Sequence, residues 1–165
     1  MIIQESKINM YIDGNNLHRA AKELGFEIDY RKFRGWLGQK YNIKIAYLFI
    51  GFMNDRLSFY EYLERCGFCL IFKQTLIYRG VVKGNCDAEL ILKIISDFYT
   101  KSYDKCYLVS GDGDFSCVVE FLRDNNVFMA IISPDSNKCS IFLRDKNVEI
   151  VFLNNHYHKF SKRIV

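Results

Sequence analysis

The chain has 165 residues, of which half are apolar and a quarter charged, and its formal net charge is +4. A chain of this length buries a sizeable core as one domain without staples, and a single proline among many aromatics excludes a disordered or low-complexity polypeptide. So mild a charge falls well short of a strongly basic nucleic-acid binder and shifts attention from the sum of the charges to their placement.

Taken in chain order, short β-branched and aromatic runs alternate with helical periodicity, the pattern of a parallel sheet covered by helices. Ile8 to Ile12 reads as a strand. Asn15 or Asn16 caps a helix whose apolar stripe is Leu17, Ala20, Ala21 and Leu24, ended by Gly25. A short helix from Tyr30 to about Leu37 follows, then a strand from Lys44 to Ile50 and a helix from Asn54 to just before Gly67. Phe68 to Lys73 is a strand, and Thr75 to Val82 is an extended excursion broken by Arg79-Gly80. From Asp87 a strong helical stripe carries Leu90, Ile91, Ile94, Ile95 and Phe98. Lys105 to Val109 is a strand whose turn, Ser110-Gly111-Asp112-Gly113-Asp114, leads into a helix reaching Arg123. A strand from Val127 to Ile132, a helix near Lys138 to Arg144 and a strand from Val148 to Leu153 complete the alternation. The expected organisation is one α/β domain over residues 1–153 and a short, polar and basic tail over 154–165.

No run reaches the ~18 apolar residues that a membrane span needs, and Met1 to Lys7 lacks the basic-then-apolar pattern of a secretory leader, so a soluble, cytoplasmic chain is expected. The six cysteines lie mostly in apolar runs and are expected as reduced, largely buried thiols. Cys66-Gly67-Phe68-Cys69 is half of a zinc motif without a second half, and His156-Tyr157-His158 has no cysteine or carboxylate partner nearby. Nucleotide-binding glycine loops and the Gly-x-Ser-x-Gly elbow are absent from the sequence.

The acidic residues carry the functional signal. In open parallel sheets the reactive crevice lies beyond the carboxyl ends of the strands. Asp13 directly follows the first strand, while Asp112 and Asp114 follow the strand ending at Val109, both in glycine-containing turns. Asp87 opens a helix on the stripe of Leu90, Ile91 and Ile94, which turns it inward. Taken singly, each aspartate is accounted for as a cap or turn residue. Jointly, converging carboxylates repel unless protonated or neutralised, and such an oxygen-rich cluster suits Mg²⁺ or Mn²⁺.

Three blocks of the chain, Tyr11-Ile12-Asp13-Gly14-Asn15-Asn16-Leu17, Lys83-Gly84-Asn85-Cys86-Asp87-Ala88-Glu89-Leu90 and Val109-Ser110-Gly111-Asp112-Gly113-Asp114-Phe115, resemble the successive motifs of NYN-domain proteins, a branch of the PIN-like nucleases. The resemblance implies a Rossmann-like parallel sheet between helices. It also implies catalytic and metal-coordinating roles for Asp13, Asp87, Asp112 and Asp114, with Asn16 and Ser110 as supporting polar residues. One departure stands out: many relatives carry a further acidic residue where this chain has Lys93. Glu89, off the apolar stripe, is expected to pair with that lysine across one helical turn.

The implied activity is metal-dependent hydrolysis of RNA, most naturally single-stranded, with products bearing 5′-phosphate and 3′-hydroxyl ends. Arg19, Lys22, Arg79, Lys83 and Lys138 are the candidate phosphate contacts, and Tyr78 a candidate base-stacking residue, although an aromatic there packs on a sheet equally well. His18 reads as a solvated helix residue beside the first motif. The alternative is a non-catalytic RNA-binding or scaffold module in which Lys93 leaves the metal site incomplete. A phosphatase with an aspartyl nucleophile fits less well, because Asp-x-Asp follows the fourth or fifth expected strand and not the first. Assembly as a homo-oligomer is left open by the sequence.

Overall fold

The protein is described by a computed structural model over residues 5–163, apart from the side chains of residues 82 and 83. The leader reading of Met1 to Lys7 lies partly outside these residues. Six parallel strands form the central sheet: β1 (Ile8–Asp13), β3 (Ile45–Phe52), β4 (Phe68–Gln74), β7 (Lys105–Val109), β8 (Phe128–Ser133) and β9 (Ile150–Phe152), in the order β4-β3-β1-β7-β8-β9. The chain builds outward from β1 through β3 to β4, then returns to place β7 on the other side of β1. The switch point between β1 and β7 is where such sheets open a crevice.

Strand alternation divides the core in two. Met10 and Ile12 face a layer with α1 (Gly14–Glu23), α2 (Tyr30–Tyr41) and α3 (Leu57–Arg65), represented by Leu17, Phe33 and Leu63. Tyr11 faces the opposite layer with α4 (Asp87–Tyr99) and α5 (Ser116–Asp124), where Leu90, Ile94 and Val119 pack. The sheet is thus sandwiched between helices, the α/β architecture expected from the alternating pattern. Among the described residues no helix is long and apolar enough to cross a membrane. All six cysteines are free thiols, with Cys66, Cys86, Cys106 and Cys139 buried and Cys69 and Cys117 exposed.

Local chemistry explains where the sequence reading and the structure part. The cap of α1 is Asp13 itself, whose carboxylate accepts from the Asn16 N–H at 3.1 Å, and not Asn15 or Asn16. α2 runs on past Leu37 to Tyr41 because Gly35 and Gly38 stay helical and Asn42 takes the left-handed cap. The excursion after β4 is a hairpin of β5 (Leu76–Tyr78) and β6 (Val81–Lys83), with Arg79 and Gly80 both at positive φ, as a tight two-residue turn requires. α6 (Ile141–Arg144) is only four residues long, and Ser136–Lys138 forms a separate 3₁₀ turn before it.

The segment after Leu153 is not a solvated polar tail. Tyr157 and Phe160 are fully buried, and the Tyr157 hydroxyl donates to the Pro134 carbonyl at 3.0 Å. Phe160 packs against Phe33 and Trp36. β10 (Ser161–Arg163) pairs antiparallel with β2 (Phe26–Ile28), two short strands with no clear periodic signal. Apolar residues spaced three apart among lysines and histidines are too sparse to register as a stripe.

Candidate metal centre

The switch point assembles the acidic residues. Asp13 ends β1 and Ser110 follows β7, its immediate neighbour in the sheet. The Ser110 hydroxyl donates to Asp13 Oδ2 at 3.1 Å and accepts from the Asp112 N–H at 3.1 Å. Asn16 Oδ1 accepts from the Gly111 N–H at 3.0 Å, tying the first turn of α1 to the β7 turn. Asp112 then caps the next turn by accepting from the Asp114 N–H at 3.0 Å. Gly14 permits this closeness, since a Cβ there would lie 2.5 Å from Ile50 Cγ2 and 2.7 Å from the Phe49 carbonyl.

Across the crevice, Asp87 at the start of α4 completes the group. One carboxylate oxygen from each of Asp87, Asp112 and Asp114 lies within 4.8 Å of the other two. Asp13 is not a member of this tight trio. It is buried behind it, with both carboxylate oxygens already engaged by the Asn16 N–H and the Ser110 hydroxyl. The four aspartates expected from the sequence therefore meet at one edge, three as neighbours and one beneath them.

Burial acts on two of these carboxyls. Burial pushes the Asp87 carboxyl up from its ordinary 3.8 to about 6, and Asp13, Asp112 and Asp114 push in the same direction, against Lys73. Asp13 is raised chiefly by burial, opposed by its two hydrogen bonds. A carboxyl with a raised folded-state pKa contributes stability that is complete below the unfolded value and lost as pH rises through the folded one. For Asp87 that window runs from 3.8 to about 6. In EDTA, the melting temperature should therefore carry a component that falls across this window and that saturating Mn²⁺ removes, as read by thermal melts at stepped pH.

The helix α4 corrects one pairing. Lys93 does not meet Glu89; its ammonium donates to Asp97 at 2.7 Å and lies 4.8 Å from the centre of the Tyr47 ring. Asp97 is buried and also accepts from the Tyr11 hydroxyl at 2.7 Å. Glu89 instead pairs with Lys73 of β4 at 3.3 Å. Sequence reasoning missed both Lys73 and Asp97. Lys73 lies near the carboxyl end of a strand that borders the crevice, and Asp97 lies four residues after Lys93 on the stripe of Leu90 and Ile94, so both had a signal in the sequence.

The family model of the NYN domain matches residues 7–153. The chain belongs to the NYN domain family. This NYN domain is 28% identical over 144 residues to the low amplitude and bright protein LabA of Synechococcus elongatus, spanning 82% of this chain and 77% of that protein. Its fold is similar to the crystal structure of a protein of unknown function from Vibrio parahaemolyticus, with a TM-score of 0.79 and 24% identity over 98% of this chain and 99% of the other.

The basic residues singled out in the sequence are dispersed in this NYN domain. Arg19 is exposed and lines a cleft of about 340 Å³ beside the cluster, together with Asn16, Asp112, Gly113, Ser133 and Ser140. Lys138 lines the same cleft but is held by Glu23. Lys22 and His18 border a separate groove of about 620 Å³ walled by Phe26, Tyr30, Phe59 and Tyr62. Arg79 lies over the Tyr78 ring at the exposed tip of the hairpin. The backbone of Lys83 is in β6, and its side chain is outside the described residues.

Proposed function

We propose that this NYN domain is a metal-dependent ribonuclease that holds Mg²⁺ or Mn²⁺ on Asp87, Asp112 and Asp114, with Asp13 supporting them from below. The observation that carries the reading is the meeting of three carboxylates within 4.8 Å at the sheet's switch point. Their hard oxygen donors fit such an ion, and the upward push on Asp87 is the cost that a dication would relieve. A bound divalent cation would polarise a phosphate oxygen and acidify a water.

The protein's own groups set the rest. Asp13 is locked by Ser110 and Asn16, whose hydrogen bonds fix the β1 and β7 turns relative to each other. Buried support of this kind maintains the spacing of the outer carboxylates. Arg19, which acts on Asp13 from beside the cleft, and Lys73, which acts on Asp87 and is held by Glu89, are suited to orienting a phosphodiester. Arg79, Lys22 and Lys138 extend the proposed contacts to a single-stranded RNA, together with Lys83 from the sequence block that carries Asp87.

The competing reading is an RNA-binding or scaffold module whose metal site is incomplete because Lys93 stands where an acidic residue is expected. Against it, Asp87, Asp112 and Asp114 meet without any contribution from that position, and the Lys93 ammonium is engaged by Asp97. The test is cleavage of end-labelled single-stranded RNA in Mn²⁺ or Mg²⁺, with EDTA and Asp112→Asn as controls. Metal-dependent products with 5′-phosphate ends, lost in both controls, are expected. Undiminished RNA affinity in EDTA together with no Mn²⁺ binding by calorimetry would reverse the conclusion in favour of the binding module.

A further inference from the structure

The cleft beside the cluster has an unusual wall. Ser140 N–H donates to the Gly111 carbonyl at 3.0 Å, which docks the start of α6 on the turn that carries Asp112 and Asp114. Gly113, between those two aspartates, has no room for a side chain: a Cβ would lie 2.5 Å from Ser140 Oγ and 3.2 Å from Phe142 Cδ2. Phe142 nevertheless remains 66% exposed. An aromatic ring is thus seated against the backbone of the metal-binding turn while most of its surface faces solvent.

The cleft is polar, lined by Asn16, Arg19, Ser133 and Ser140 and by three carboxylates: Glu23, which pairs with Lys138, Asp112 of the acidic cluster, and Asp135, which accepts from the Asn137 N–H. Among the described residues Arg19 enters no ion pair, whereas Lys138 of the same cleft is held by Glu23. The hydroxyl, amide and carboxylate groups suit the hydroxyls of a sugar and Arg19 suits its phosphate, while the exposed ring beside Gly113 of the lining suits the π-face of a base, whichever base it is. A purely apolar partner would leave that lining without hydrogen-bond partners.

We infer that this cleft binds the nucleotide adjoining the scissile phosphate, with its base stacked on Phe142 and its sugar-phosphate along the polar lining near Arg19. The inference rests on the nuclease reading and gives it a substrate-positioning element. Because stacking ignores base identity, the subsite favours unpaired RNA over a duplex without selecting a sequence.

Single-turnover cleavage of single-stranded RNA in Mn²⁺ tests it. Phe142→Ala should raise the half-saturating protein concentration about tenfold, with the maximal rate and Mn²⁺ affinity little changed, and Phe142→Tyr should restore binding. An abasic scan supplies the sharper readout. In the wild type one position next to the cut should lose about tenfold in affinity when its base is removed, and the alanine variant should be indifferent there. Wild-type cleavage with no effect of Phe142→Ala, or with abasic sensitivity retained in the variant, would overturn the subsite while sparing the nuclease. A Phe142→Ala change seen only in the sedimentation coefficient would reassign the ring to a protein interface. Failure of the wild type to bind or cleave RNA would overturn both.

Discussion

Asp87→Asn is expected to lower metal-dependent RNA cleavage by at least about a hundredfold, and in the same protein to raise the melting temperature measured in EDTA at pH 8. The two effects have one origin. At the start of α4 the helix dipole favours a negative charge by only about 0.3–1 kcal/mol, whereas burial and three neighbouring carboxylates together hold the Asp87 carboxyl up at about 6. The unfavourable contributions win, so the ionised side chain destabilises the metal-free fold above that pH. Asparagine removes the charge and keeps an oxygen to accept from the Asn85 amide, which reaches Asp87 at 2.6 Å. At pH 4.5 the gain should be much smaller, because the folded wild-type carboxyl is then largely protonated, and below 3.8 it should fade out. Saturating Mn²⁺ should stabilise the wild type and leave the variant nearly unmoved. Melts with and without metal at both pH values check this. A lower melting temperature for the variant in EDTA at pH 8 would make Asp87 a structural cap and remove it from the metal centre.

Chain order and helical spacing decide which parts of the candidate site are legible in the sequence. Asp13 ends β1, and Asp112 and Asp114 lie in the turn that follows β7, so order along the chain sufficed to bring them to one edge. Asp87 followed from the helical stripe it shares with Leu90 and Ile94. The depth of each group was not legible. Whether Asp13 is an outer ligand or a buried support depends on the Ser110 and Asn16 hydrogen bonds, which join turns far apart in sequence. Phe142 gave no signal at all, since its significance comes from contact with Gly113 and not from its neighbours in the chain. The elements followed a similar rule. The buried strands of the parallel sheet declared themselves as apolar runs, whereas β2 and β10, three residues each, exist through their pairing with each other.

The same logic governs Lys93, whose spacing suggested a helical ion pair and whose partner is set by depth. Asp97→Ala is expected to destabilise the fold by about 3 kcal/mol, a fall in melting temperature on the order of 10 °C for a domain of this size. It leaves the Tyr11 hydroxyl, in a fully buried residue, without the acceptor that now lies 2.7 Å away. It also strips Lys93 of its counter-charge, although that side chain is 32% exposed and turns partly to water, which keeps the loss at the lower end of the range for a broken buried pair. Asp97→Asn, which retains one acceptor, should cost about half as much. A Lys93→Met, Asp97→Asn double variant should lose less than the sum of the single losses, the signature of a coupled pair in a double-mutant cycle. The consequence reaches the metal centre, because Tyr11 belongs to the strand that carries Asp13 and Asp97 to the helix that carries Asp87. This network therefore pins together two of the elements that present carboxylates. Calorimetry with Mn²⁺ on Asp97→Ala should give a weakened but measurable affinity, in contrast to the loss expected for Asp87→Asn. An Asp97→Ala protein that melts within a degree of the wild type would show that the packing of Leu90 and Ile94 alone holds α4 in place.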